Sequence, residues 1–87
     1  MAAMSDPKQV KVERVQTGVR MEKRLVKVLK GLAEYCDLTL GDLLEGICLH
    51  ALEGTRPFEK GTLEQIAVLK QVYGLDLTAA NSHNLAD

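Results

Sequence analysis

Eight cations within twenty-three positions are the clearest chemical resource of this chain. Lys8, Lys11, Arg14, Arg20, Lys23, Arg24, Lys27 and Lys30 face only Glu13 and Glu22 between residues 8 and 30, a net charge of +6. Residues 31–87 carry −6 and Asp6 the last unit, so an overall charge of −1 conceals a basic front and an acidic rear. Guanidinium groups pair with phosphate or carboxylate through two parallel hydrogen bonds, and ammonium groups act as point charges. Charge sorted in this way suits a polyanionic partner.

Other chemistry is poorly served. Cys36, Cys48, His50 and His83 match no zinc or nickel spacing; Cys48 and His50 are two apart and point to different faces of a helix. There is no nucleophile with a base in a recognisable arrangement, no pair of carboxylates set for acid–base work, and no glycine loop for phosphate. The chain is therefore read as a non-enzyme with no metal and no cofactor. The two cysteines fall inside apolar helical patterns. They read as small hydrophobes in a reducing compartment rather than as a disulfide framework.

These residues must be positioned by a small domain. Hydrophobic residues make up 46% of the chain, but with one Phe, two Tyr and no Trp. A core of Leu, Val and Ala buries less area per residue, so pairing with a second copy would add burial that one copy lacks. Met1–Pro7 is polar and resembles no leader, and residues 1–9 read as a flexible arm. No apolar run approaches the ~20 residues that span a bilayer, so a cytoplasmic protein is expected.

From Val15 the pattern alternates, with Val15, Thr17, Val19 and Met21 on one face and Gln16, Gly18 and Arg20 on the other, which predicts a short strand. No second strand follows in the sequence. A lone strand exposes unpaired donors and acceptors, so pairing with the same strand of a second copy across a two-fold axis is expected. A helix follows over Glu22–Cys36, with Leu25, Val28, Leu29, Leu32 and Cys36 on one side and Lys23, Lys27 and Lys30 on the other.

Thr39 as N-cap and Asp42 at N3 then open a second helix, closed by Gly54. Leu40, Leu43, Leu44, Ile47, Cys48 and Ala51 form its apolar stripe, which Leu49 and Leu52 widen. Gly46 suggests that another backbone comes close. Thr62 and Gln65 repeat the capping pattern for a third helix over Leu63–Tyr73, with Gly74 after its end. This helix is expected to pack over Leu49 and Leu52, and Thr78–Asp87 to form a polar, mobile tail.

Strand, helix, short turn and helix over about half the chain resembles the ribbon-helix-helix repressors of the MetJ/Arc type. The matching text is Val15-Gln-Thr-Gly-Val-Arg-Met21, then Leu25-x-x-Val28-Leu29-x-x-Leu32-Ala33, then Leu38-Thr39-Leu40-Gly41-Asp42-Leu43-Leu44. The resemblance implies a mainly α protein with one short β-strand: an intertwined homodimer with an intermolecular antiparallel β-ribbon, plus a third C-terminal helix. Residues 10–54 would be the dimerisation and DNA-binding domain and 55–87 a helical extension.

It further implies a bacterial-type transcriptional regulator whose ribbon enters the major groove of double-stranded DNA, in a nucleoid-associated setting. Gln16, Gly18 and Arg20 would face the bases, Arg20 suiting guanine O6 and N7 and Gln16 suiting adenine N6 and N7. Gly18 brings no side chain where the family uses a polar reader, which shifts binding toward phosphate contacts. Lys11, Arg14, Lys23, Thr39 and Gly41 would meet phosphate. Val15, Thr17, Val19, Met21, Leu29, Leu40, Leu44 and Ile47 would form the dimer core.

Two alternatives stand beside this. One is an interaction module of antitoxin type, gripping a partner protein through residues 55–77. The other is a dimer of the same kind that has lost DNA binding. A helix-turn-helix with Leu40–Glu53 as recognition helix is disfavoured, because Asp42, Glu45 and Glu53 give that helix −3 between phosphate walls.

Overall fold

The computed structural model describes residues 9–87. The arm expected over residues 1–9, and Lys8 with it, therefore lies almost wholly outside the described residues. Three α-helices make up the fold: α1 Lys23–Tyr35, α2 Leu40–Glu53 and α3 Lys60–Tyr73, with a 3₁₀ turn at Ala79–Asn81.

The β-strand, and with it the ribbon-helix-helix fold class, is not what the structure shows. Among the described residues there is no strand and no sheet; residues 9–22 have no regular secondary structure, and Gln9–Met21 is exposed throughout. The physical reason is pairing. A strand exists through its ladder of hydrogen bonds to a neighbour, and residues 22–87 turn entirely into helices and loops. Alternation alone supplies a face, not a partner. This is a small all-helical protein.

Helix α1 starts at Glu22, whose carboxylate accepts the Leu25 N–H at 2.9 Å. It ends in a Schellman arrangement: Leu38 N–H donates to Ala33 O at 2.9 Å and Asp37 N–H to Glu34 O at 3.2 Å. Asp37 takes the left-handed conformation (φ 58°) that such an ending requires. Two residues on, Thr39 Oγ1 accepts from Asp42 N–H at 3.0 Å, so the expected cap of α2 is present. Gly54 and Gly74 adopt left-handed conformations (φ 80° and 65°) and close α2 and α3. Helix α3 begins earlier than Thr62 suggests, with Glu59 in the cap position and no side-chain cap bond.

The core is small. Val28, Leu32, Ala33 and Leu43 are the buried apolar residues, Leu32 most deeply at 2% exposure. Leu29, Cys36, Ile47, Phe58, Ile66 and Leu69 pack around this centre half-buried. Helix α1 is the hub, contacting both α2 and α3, while α2 and α3 do not pair. The third helix thus lies against α1 rather than over Leu49 and Leu52, which stay 68% and 86% exposed.

The closeness of α1 and α3 is set at Gly31, where an added Cβ would stand 3.0 Å from Leu69 Cδ2. Around Gly46, by contrast, nothing among the described residues beyond its own helix backbone comes within 4 Å of such a Cβ. The close approach expected there is not made among the described residues.

Candidate nucleic-acid interface

The cationic residues fall into two structural groups. Lys23, Arg24, Lys27 and Lys30 ride on α1; Lys23, Lys27 and Lys30 lie away from the side that supplies Val28 and Leu32 to the core, and half-buried Arg24 lies one turn before Val28. Lys11, Arg14 and Arg20 sit on the irregular segment ahead of it, where no side chain is buried.

Two ion pairs hold that segment, one to α2 and one to the C-terminal residue. Arg14 Nε donates to Glu45 Oε2 and Arg14 Nη2 to Glu45 Oε1, both at 2.9 Å. These hydrogen bonds, more than the bare charges, raise the Arg14 pKa and hold Glu45 below its ordinary 4.5, with Asp42 adding a smaller pull on Arg14. Arg14 is thereby brought beside the first turns of α2, the end that carries Thr39 and Gly41. Arg20 diverges: its Nη2 donates to Asp87 Oδ2 at 2.7 Å, with both side chains more than four-fifths exposed.

Of the residues expected to face bases, Gln16, Gly18 and Arg20 are all exposed. Without a strand, nothing in the structure fixes them as one alternating face. Of those expected at phosphate, Lys11 and Lys23 are exposed and outside the ion pairs formed among the described residues. Thr39 Oγ1 is taken up as a cap acceptor, and Gly41 lies exposed in the first turn of α2.

The residues expected in a dimer core divide differently. Val15, Thr17, Val19 and Met21 are exposed, while Leu29, Leu40, Leu44 and Ile47 are half-buried. Leu29 and Ile47 already pack against the core of their own chain.

Arg24 is a residue whose role charge counting did not reveal. Its Nε donates to Glu22 Oε2 at 3.0 Å, and its Nη1 donates to Gly74 O at 2.9 Å and Asp76 Oδ1 at 3.0 Å. Arg24 thus joins the start of α1 to the end of α3. Its pKa is raised first by the Glu22 hydrogen bond. Lys27 lies over the Tyr73 ring, 6.0 Å from the centroid, at the edge of cation–π range. The Glu22 pair is local, but no sequence pattern announces the contacts of Arg24 with Gly74 and Asp76 or of Lys27 with Tyr73, which join positions about fifty residues apart.

Comparison of the chain with protein-family models gives no match, and neither does comparison with curated proteins or with solved structures. Among the described residues, no helix is long and apolar enough to cross a membrane.

Proposed function

We propose that this chain binds double-stranded DNA through its exposed basic segment and α1, and acts as a homodimeric regulator of transcription. The observation that carries the reading is the condition of residues 9–21. They hold Lys11, Arg14 and Arg20, every side chain is exposed, and their ion pairs are two at the surface, Arg14 with Glu45 of α2 and Arg20 with the C-terminal Asp87. Irregular basic arms of this kind follow phosphates and enter grooves without needing a sheet. Lys11, Arg14 and Lys23 supply phosphate contacts, and Arg20 and Gln16 can read guanine and adenine edges.

Support for self-association comes from α2. Of its many apolar residues only Leu43 is buried, and Cys48, Leu49, Ala51 and Leu52 are exposed. An apolar stripe this wide is more than α1 alone covers, since α2 buries only Leu43. A second copy covering α2 would also bring two basic segments into one assembly, doubling the phosphate contacts.

The test is a fluorescence-anisotropy titration of a labelled duplex at about 50 and 200 mM salt. Binding at low salt that falls at least tenfold at high salt is the expected result; no binding at low salt ends the reading.

A second reading has its own observation. Val68 and Val72, one turn apart on α3, stay exposed at 51% and 66%. They suit a partner protein gripping residues 55–77, as an antitoxin grips its toxin. Replacing both by Ser would weaken such a contact and, adding no charge, leave DNA affinity unchanged.

A further inference from the structure

Between α1, α3 and the segment after Gly74 lies a cleft of about 420 Å³, within the range of small-molecule sites. Its walls are apolar: Leu25 and Leu29 from α1, Ile66 from α3, Leu77 and Leu85 from the final segment. The cleft is open to solvent, and an apolar chain lying in it would remove this lining from water.

The polar part of the lining is one-sided. Lys70 is its one charged residue, and no carboxylate lines it. Lys70 forms no ion pair among the described residues. Ser82 and Asn81 belong to the same lining. The Asn81 Oδ1 already accepts the Thr78 N–H at 2.8 Å, which leaves the amide NH₂ as the free end. An ammonium, an amide NH₂ and a hydroxyl are together suited to an acceptor, and above all to an anion.

We infer that this cleft is a binding site for a medium-chain aliphatic carboxylate, its chain between α1 and the final segment and its carboxylate on Lys70. The ligand class follows from the pairing of leucine-rich walls with one unneutralised cation. The site is separate from the basic segment proposed to meet DNA, so it stands or falls independently of that reading.

Octanoate and octan-1-ol, titrated into uniformly ¹⁵N-labelled protein, test this directly. The expected result is saturable shifts at the amides of Leu29, Ile66, Leu77 and Ala79, with octanoate binding at least fivefold more tightly than the alcohol. Lys70→Gln removes that preference while leaving the alcohol's affinity unchanged. Shifts that do not saturate, or that centre on Leu49 and Leu52, overturn the assignment. So does a Lys70→Gln variant that still prefers octanoate. If the cleft amides shift on dilution without ligand, a second copy fills the space and the inference is wrong.

Discussion

Arg14 and Glu45, thirty-one positions apart, meet in a two-pronged pair with both hydrogen bonds at 2.9 Å. This contact lays a cationic segment along an acidic helix and partly neutralises the charge proposed to meet phosphate. Exposed pairs of this kind are weak and screened by salt, so a phosphate can displace the carboxylate. Glu45→Gln is therefore expected to strengthen duplex binding several-fold at low salt, because a competing anion is gone. Anisotropy titrations of the two proteins side by side measure this; equal or weaker binding by the variant counts against displacement.

Arg20 and Lys23 are expected to behave differently when truncated. A bidentate contact to a guanine edge is worth ~1–3 kcal/mol of discrimination, whereas a phosphate contact carries no sequence information. Arg20→Ala should weaken binding and flatten preference among duplexes. Lys23→Ala should weaken all duplexes alike and reduce the slope of log affinity against log salt by about one. Competition among duplexes of different sequence separates the two patterns, and identical behaviour of the variants would remove Arg20 from the base-reading role.

Leu52 is 86% exposed on a helix that buries only Leu43. If a second copy covers this face, Leu52→Asp places a charge in an apolar contact and disfavours association. Within a single copy the same change touches nothing buried. The expected result is unchanged helical circular dichroism with a shift to monomer in sedimentation velocity. A wild-type protein that sediments as a monomer at all concentrations refutes the dimer.

Much of the helical scaffold could be read from the chain, because capping and period-3.6 burial are local. Thr39 capping Asp42, Gly54 closing α2, and Val28 and Leu32 on the buried side of α1 all follow from neighbours within a few positions. The alternation of Val15, Thr17 and Val19 misled because a strand's existence depends on a partner elsewhere, and the described residues supply none. The placement of α3 was equally hidden. Its seam of Ile66 and Leu69 could have covered either α1 or α2, and what admits it to α1 is the missing side chain at Gly31, facing Leu69. Among the site residues, exposure of Lys11, Arg20 and Lys23 was legible from charge. Their long-range counter-ions, Asp87 for Arg20 and Asp76 for Arg24, were not.

Asp37 is the non-glycine residue that ends α1 in a left-handed conformation, φ 58°. For an L-residue that conformation costs roughly 1–2 kcal/mol, less for Asp than for most. A carboxylate at a helix C-terminus also opposes the macrodipole. Both effects point the same way, while glycine's greater freedom in the unfolded chain opposes them. Asp37→Gly is expected to stabilise the fold by ~0.5–1 kcal/mol, measured by urea denaturation at neutral pH. A lower midpoint at unchanged slope would show that the aspartate side chain makes a contribution of its own.

Glu22 caps α1 and pairs with Arg24, and its pKa lies below the ordinary 4.5, chiefly through the Leu25 N–H. A depressed carboxylate stabilises the fold fully above its unfolded value. The contribution is lost as pH falls through the lower native value. Glu22→Gln should therefore reduce Tm at pH 7, where the wild-type carboxylate is ionised in both states. The gap between the two proteins should stay constant down to about pH 5, then narrow and close as acid protonates the native carboxylate. Paired thermal melts across that range, with the Glu22 carboxyl carbon followed by NMR, check both halves. A Tm difference independent of pH would mean that side-chain shape, not the charge on the cap, holds the start of α1.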